Sequence, residues 1–168
     1  MARFYAGIGS RETPEAICRF MAQAATHLAG LGYTLRSGGA DGADKAFESG
    51  VPEQSPKEIF LPWRGFNGNP SPLFDYTGNE RKLFAIAAEH HPAWTRLEPA
   101  VKRLHARNVC QMLGYDGQTP VEFVICWTPK GKGGGGTGQA IRIAISYGVP
   151  VYDLGSFTPE YVKRKIGL

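Results

Sequence analysis

In the stretch LRSGGADGADKAF, residues 35–47, three glycines and two aspartates lie between a strand-like run and a helical pattern. Glycine adopts positive φ angles and lets the backbone come close to a ligand, so this composition predicts a specialised turn between a strand and a helix. Two further glycine turns occur at GIGS, residues 7–10, and at GGGGTG, residues 133–138. Together the three turns divide the chain into strands and helices.

The apolar patterns on both sides of these turns alternate between strand and helix spacing. They predict strands at 3–9, 33–39, 57–63, 121–128 and 149–154. They predict helices at 14–30, 43–50, 79–90, 97–114, 139–148 and 158–166. This alternation predicts an α/β fold with a doubly wound parallel sheet, in a Rossmann-like three-layer α/β/α arrangement. A chain of 168 residues is long enough for one core, so we expect a single domain over 1–168.

Composition sets limits on the class of protein. The net charge of +4 is compatible with an anionic ligand or with weak contact to nucleic acid. No apolar run approaches the roughly 20 residues that cross a bilayer, and the N-terminus lacks a secretion pattern, so we expect a cytoplasmic protein without a membrane partner. Three separated cysteines and four histidines without ligand spacing predict reduced thiols, no metal site and no cofactor.

The three glycine turns predict an anion site. In a parallel sheet every turn from strand to helix lies at the carboxyl edge, where ligands bind. The helix start after each turn presents free N–H groups and the positive end of the helix dipole, which suit a phosphate. The predicted ligand-binding residues of the turns are Gly9, Ser10, Arg11, Ser37, Gly38, Gly39, Gly135, Gly136, Thr137 and Gly138.

The first and third turns differ from the two best-known phosphate motifs. Glu12 stands where a dinucleotide fingerprint has its third glycine, and the third turn lacks the lysine of a P-loop. A standard dinucleotide site and an ATPase site are therefore not expected. Ser10 and Thr137 either donate to a phosphate or belong only to the local turn.

Several polar and aromatic residues near the turns have two interpretations each. Asp41 and Asp44 either cap a helix or act on a ribose hydroxyl or as an acid, and repulsion from phosphate assigns them to the sugar end. Asn108 falls on the apolar stripe of helix 97–114 and needs a partner, either the ligand or a backbone group. Arg107 at the edge of that stripe reaches either a phosphate or solvent. Trp63 after the third strand stacks on a base or belongs to the core.

The motifs SGGADGAD (37–44), LHARNVCQM (104–112) and GGGGTGQA (133–140) resemble those of two protein families. The first resembles the glycine motif of the DNA-processing DprA proteins. The other two resemble the paired motifs of the LOG phosphoribohydrolases. Both families belong to the SLOG superfamily of Rossmann-like nucleotide binders, and small stand-alone members are common in bacteria and phages. The resemblance covers most of the chain, from Phe4 to Leu154, and implies a nucleotide-like ligand and a homodimer, with helix 97–114 available as the interface.

The resemblance has departures that bear on activity. LOG enzymes cleave the N-glycosidic bond of nucleoside monophosphates, but their catalytic glutamate aligns with Ala140 and their Arg-Lys pair with Arg107-Asn108. Glycosidic cleavage commonly needs a carboxylate, which alanine lacks. A hydrolase would need another acid, for which Asp41, Asp44 and Glu12 are the candidates.

Three functions follow as hypotheses. The first is a binder that senses, sequesters or carries a nucleotide or a nucleotide-derived molecule. The second is a nucleotide N-glycosidase with a relocated acid. The third is a DprA-like protein that binds single-stranded DNA, whose affinity would fall steeply with salt.

Overall fold

The computed structural model describes residues 1–168 as five strands and six α-helices. The strands are β1 (Arg3–Gly7), β2 (Tyr33–Ser37), β3 (Lys57–Ile59), β4 (Val124–Cys126) and β5 (Val151–Asp153). The helices are α1 (Glu15–Gly30), α2 (Ala43–Gly50), α3 (Glu80–Glu89), α4 (Pro99–Leu113), α5 (Gly135–Ser146) and α6 (Pro159–Ile166). No helix has the length and apolar character that crossing a membrane requires.

All strand pairs are parallel, in the order β3-β2-β1-β4-β5. One buried cluster joins the sheet to α1, α2 and α6, and a second joins it to α3, α4 and α5. The predicted Rossmann-like three-layer α/β/α fold is therefore confirmed. Chain order reverses between the neighbouring strands β1 and β4, so the crevice at their carboxyl ends is the topological switch point of the sheet.

Helix α4 occupies a different place from the one expected. Residues His105 to Leu113 are all buried in the core of this chain, packed against α3 and α5. The second half of helix 97–114 is therefore not available as a subunit interface, because its surface is already covered within the monomer. Only the first two turns of the helix, which include Val101 and Leu104, are partly exposed.

Helix α5 begins four residues earlier than the predicted start at residue 139, because the last glycines of the GGGGTG turn form its first turn. A side chain at Gly138 would place its Cβ only 1.9 Å from the carbonyl oxygen of Gly133, so this part of the helix packs directly on the turn before it. A Cβ on Gly135 or Gly136 would meet no heavy atom within 4 Å. The early start moves the free amides of the helix to Gly135, Gly136 and Thr137.

Candidate functional site

A cavity of about 1180 Å³ lies at the carboxyl edge of the sheet, across the switch point. Its walls come from the turns after β1, β2 and β4, and from the inner face of α4. The predicted site residues that line it are Gly9, Ser10, Arg11, Glu12, Asp41, Asp44, Arg107, Asn108, Gly135, Gly136 and Thr137. The structure thus brings all three glycine turns to one cavity, as the sequence predicted.

The first two turns pack against each other without room for side chains. A Cβ on Gly42 would lie 2.6 Å from the carbonyl oxygen of Ser10, and Gly42 also has a φ of +80°. A Cβ on Gly9 would lie 2.7 Å from the Cβ of Ala43. The amide of Ala43 donates to the Ser10 carbonyl at 3.4 Å. These glycines therefore serve close contact between the turns as well as access to the cavity.

Asp44 is the buried carboxylate of the first two turns. Its side chain is buried, and its Oδ2 accepts a hydrogen bond from the backbone amide of Ala40 at 3.3 Å. Burial raises the pKa of Asp44 to about 6, and the Arg107 guanidinium and the amides of Ala40, Gly9 and Gly38 oppose that rise. A phosphate at the first two turns would therefore face the negative charge of a buried carboxylate.

Arg107 is buried beneath the second turn. Its Nη1 donates to the carbonyl of Gly38 at 2.5 Å, and its guanidinium lies 5.6 Å from the ring centre of Phe66. The side-chain Nε has no hydrogen-bond partner in the protein. Burial lowers the pKa of Arg107, and Asp44 opposes this. Of the two alternatives for Arg107, a solvated side chain is not observed, because the side chain is buried against the second turn.

The third turn keeps its donors free. The amides of Gly135, Gly136 and Thr137 at the start of α5 have no acceptor in the protein. A Cβ built on Gly134, Gly135 or Gly136 meets nothing within 4 Å, so the backbone of the turn is open to the cavity. Free amides at the start of a twelve-residue helix carry the positive end of its dipole. This is the part of the cavity that suits an anion.

The third turn is held from behind by a buried hydrogen-bond network. The carboxylate of Asp153, at the end of β5, accepts from the amide of Thr128 at 2.9 Å and also from the Thr128 hydroxyl. The Thr128 oxygen in turn accepts from the amide of Gly133 at 2.9 Å. Thr128 and Asp153 were not predicted from the sequence. An aspartate within the predicted last strand was the only available signal.

Asn108 finds its partners within the protein. Its Nδ2 donates to the carbonyl of Gly136 at 3.2 Å and to the Oε1 of Gln139 at 3.0 Å. Gln139 is itself fixed by a hydrogen bond from its Nε2 to the carbonyl of Ala87. The alternative of a backbone partner is therefore the one observed, and Asn108 positions the first turn of α5.

Five predicted residues do not line the cavity: Ser37, Gly38, Gly39, Gly138 and Trp63. The Ser37 hydroxyl donates to the carbonyl of Gly7 at 2.7 Å, inside the core. Gly38, Gly39 and Gly138 are buried supports of the turns. Trp63 is 39% exposed and packs edge-to-face on Phe66, so the aromatic ring that reaches the cavity is Phe66.

The other candidate acids lie on the rim. Asp41 is exposed, and its Oδ1 accepts from the Nδ2 of Asn67 at 3.0 Å. Glu12 is also exposed, and its amide donates to the hydroxyl oxygen of Ser10 at 3.0 Å. Ala140 lines the cavity at the position where the LOG alignment expects a glutamate. Asp44 is therefore the one buried carboxylate of the cavity.

Two histidines, His91 and His105, complete the wall, and no sequence pattern predicted them. The rings of His91 and His105 meet edge-to-face with centres 4.6 Å apart, and both line the cavity. His105 is only 7% exposed, and its Nδ1 has no hydrogen-bond partner. No group of three or more His, Cys, Asp or Glu side chains is placed to hold a metal ion.

The cavity therefore combines free helix amides, a buried carboxylate, a buried arginine, an aromatic side chain and two histidines. This donor set supports anion binding next to a polar group that carries hydroxyls. Comparison of the chain with protein-family models, with curated proteins and with solved structures gives no match.

Proposed function

We propose that this protein binds a nucleotide or a nucleotide-derived molecule in the cavity at the carboxyl edge, and that it senses, sequesters or carries that molecule. The observation that carries the proposal is the set of unpaired amides at Gly135, Gly136 and Thr137, which open onto the cavity. Amides at a helix start have no acceptor within the helix, and together with the helix dipole they favour a negatively charged ligand. A phosphate bound there would supply an acceptor oxygen for each of the three amides.

The two ends of the cavity support one orientation of the proposed ligand. Asp44 would repel a phosphate from the first two turns, so the phosphate belongs at the start of α5. The Asp44 carboxylate accepts hydrogen bonds and therefore suits the hydroxyl groups of a sugar. Phe66, Val101 and Leu104 form the apolar part of the wall, where a base would find contact area. The proposed ligand thus extends across the switch point.

A direct experiment uses the purified protein as it is isolated. Mass spectrometry of the small molecules released on denaturation should identify a phosphate-bearing nucleotide or a derivative of one. A panel of nucleoside mono-, di- and triphosphates, tested by thermal shift, should contain at least one that stabilises the fold. Absence of any such molecule together with no stabilisation by the whole panel would overturn the proposal.

Gly136 offers a matched pair of variants that differ only in charge. Gly136→Asp places a carboxylate at the free amides, where the helix dipole favours it, so the fold is preserved and the anion is excluded. Gly136→Asn is similar in size but neutral. We expect at least about tenfold weaker nucleotide binding for Asp than for Asn, because the aspartate competes for the same donors. Equal affinities of the two variants would place the phosphate elsewhere.

One observation favours an enzyme as the second candidate. The pKa of Asp44 is raised to about 6 inside the cavity, as is common for acids and bases that transfer protons. A nucleotide N-glycosidase would use this carboxylate for the sugar that becomes oxocarbenium-like. Release of free base from a nucleoside monophosphate, abolished in Asp44→Asn, would establish that reaction. The mixed charges of the cavity make single-stranded DNA a weaker candidate than a small molecule.

A further inference from the structure

The side chain of Gln111 is a part of the cavity wall that the proposed nucleotide site does not yet use. Gln111 lies on α4 and is only 2% exposed, and its amide makes no hydrogen bond within the protein. The other two buried side-chain amides, Asn108 and Gln139, bond to each other and to backbone carbonyls. Because buried polar groups are rarely left unpaired, the exception at Gln111 indicates a partner from outside the chain.

The amide head of Gln111 opens onto the cavity. Four polar side-chain atoms lack both a partner and access to solvent, among them Nδ1 of His105 and Nε of Arg107. Neither the oxygen nor the nitrogen of the Gln111 amide is one of these four atoms. Since Gln111 lines the cavity, a bound molecule reaches both its oxygen acceptor and its N–H donors.

Arg107 presents one free donor beside this amide. It precedes Gln111 by one turn, so the two side chains share a face of α4. Both heads meet beneath Gly38, where a Cβ would lie 2.1 Å from Nε2 of Gln111 and 2.5 Å from Nη1 of Arg107. Nη1 is occupied by the Gly38 carbonyl, whereas Nη2 is neither bonded nor closed off from solvent. The cavity therefore offers an amide next to a group that only donates.

The two heads match the edge of a base that carries a ring N–H next to a carbonyl, which is called a lactam edge. The Gln111 amide pairs with it by donating to the carbonyl and accepting from the N–H. With its amide turned over, Gln111 pairs equally well with an amino group next to a bare ring nitrogen. Arg107 distinguishes the two edges, because a guanidinium has donors only and therefore bonds to a carbonyl and opposes an amino group.

We propose that Arg107 and Gln111 select the base of the bound nucleotide, and that this base has a lactam edge. The inference rests on the proposed function and names the substrate class, which is nucleotides of hypoxanthine, guanine, uracil or thymine in preference to adenine or cytosine. The ring of Phe66, whose centre lies 5.6 Å from the Arg107 guanidinium, supplies a face on which such a base stacks. The start of α5 is left to the phosphate.

Inosine and adenosine nucleotides are matched probes, because their bases differ only at the edge that would meet Arg107 and Gln111. Uridine and cytidine nucleotides form the corresponding pyrimidine pair. Calorimetry measures the affinity of the wild type for all four, each as the monophosphate and the triphosphate. We expect the lactam member of at least one pair to bind about tenfold or more tightly than its amino partner, since a buried polar group left unpaired is costly. The tighter of the two lactam nucleotides shows whether the cavity takes a purine or a pyrimidine.

Gln111→Met keeps the length of the side chain and removes its donors and its acceptor. The preferred lactam nucleotide should bind this variant about tenfold or more weakly, and its amino partner should lose less, so the preference shrinks. Gln23→Met is the matched control, because Gln23 is exposed on α1 outside the cavity, and it should bind like the wild type. A preference that Gln111→Met retains in full would overturn the role of Gln111.

Proton–nitrogen resonance of the Gln111 side-chain amide tests the same contact if Gln111→Met fails to fold. The preferred nucleotide should move this signal, because the amide gains its missing partners. Nucleotides that bind without preference for the lactam base, or that leave the Gln111 signal in place, would refute this inference alone. Failure of every nucleotide in the two pairs to bind would count against both this inference and the proposed function.

Discussion

The buried carboxylate of Asp44, which feels the charge of the Arg107 guanidinium, makes the stability of the protein depend on pH in a calculable way. In the wild type the pKa of Asp44 is raised from 3.8 to about 6, so the folded state binds more protons than the unfolded state between these values. The contribution of Asp44 to stability is therefore largest below pH 3.8, and this contribution is lost as the pH rises through 6. The rise corresponds to about 3 kcal/mol, at about 1.4 kcal/mol for each pH unit.

Replacing Arg107 with Met should extend this loss to higher pH. Arg107 opposes the rise in the pKa of Asp44, so the pKa in Arg107→Met lies above 6. At pH 5 both proteins hold a largely protonated Asp44, and the variant loses only the hydrogen bond to Gly38 and some packing, about 1–3 kcal/mol. At pH 8 the additional loss reaches at most about 2.7 kcal/mol, for the two pH units between 6 and 8.

Urea denaturation at pH 5 and at pH 8 measures both values. The expected total at pH 8 is therefore about 1–3 kcal/mol plus at most about 2.7 kcal/mol. Arg103→Met on the same helix is the control, since Arg103 is exposed and should change stability by less than about 0.5 kcal/mol. The double variant Arg107→Met/Asp44→Asn should lose the pH difference. Arg107→Met could instead lose the same free energy of unfolding at pH 5 and at pH 8, or the double variant could keep a difference between the two pH values. Either result would refute the electrostatic coupling between Arg107 and Asp44.

Three further predictions concern the turns. Gly138→Ala should lower the free energy of unfolding, measured in urea, by about 1–3 kcal/mol, because its Cβ would clash with the Gly133 carbonyl. Gly136→Ala has open space and should raise it by up to about 1 kcal/mol through helix propensity. Similar effects of the two variants would contradict the geometry of the turn. Asp153→Ala leaves the amides of Thr128 and Gly155 without their acceptor and should cost about 3 kcal/mol, with Asp41→Ala near zero as the exposed control. Asn108→Ala should weaken nucleotide binding about tenfold or more in calorimetry by releasing the Gly136 carbonyl, and unchanged affinity would show that the first turn of α5 needs no support from α4.

The sequence predicted which strands and helices form better than it predicted the residues at which they begin and end. Strand and helix spacing identified all five strands and six helices, because buried strands and amphipathic helices leave distinct periods. The predicted strand at 57–63 ends at Ile59, since Phe60 and Leu61 pair with Leu73 before the chain enters the loop that carries Phe66. The start of α5 was misplaced because glycine has low helix propensity, whereas close packing of Gly138 on Gly133 decides the conformation.

The site was predicted in its backbone and only partly in its side chains. Glycine turns after parallel strands must meet at one edge, so Gly9, Gly135 and Gly136 could be assigned to one cavity. Asp44 and Arg107 are buried because of the way in which α2 and α4 pack. No local sequence pattern encodes that packing. His91 and His105 are fourteen positions apart on separate elements, and only the tertiary fold brings their rings to 4.6 Å.

The central claim is that the amides at the start of α5 bind the phosphate of a nucleotide. The most direct measurement is a two-dimensional ¹H–¹⁵N resonance titration of the protein with the nucleotide that copurifies, or with the member of the panel that stabilises it most. We predict that the amide signals of Gly135, Gly136 and Thr137 move downfield as they become hydrogen-bond donors. Saturable binding that leaves these three signals in place, while other residues respond, would contradict the account.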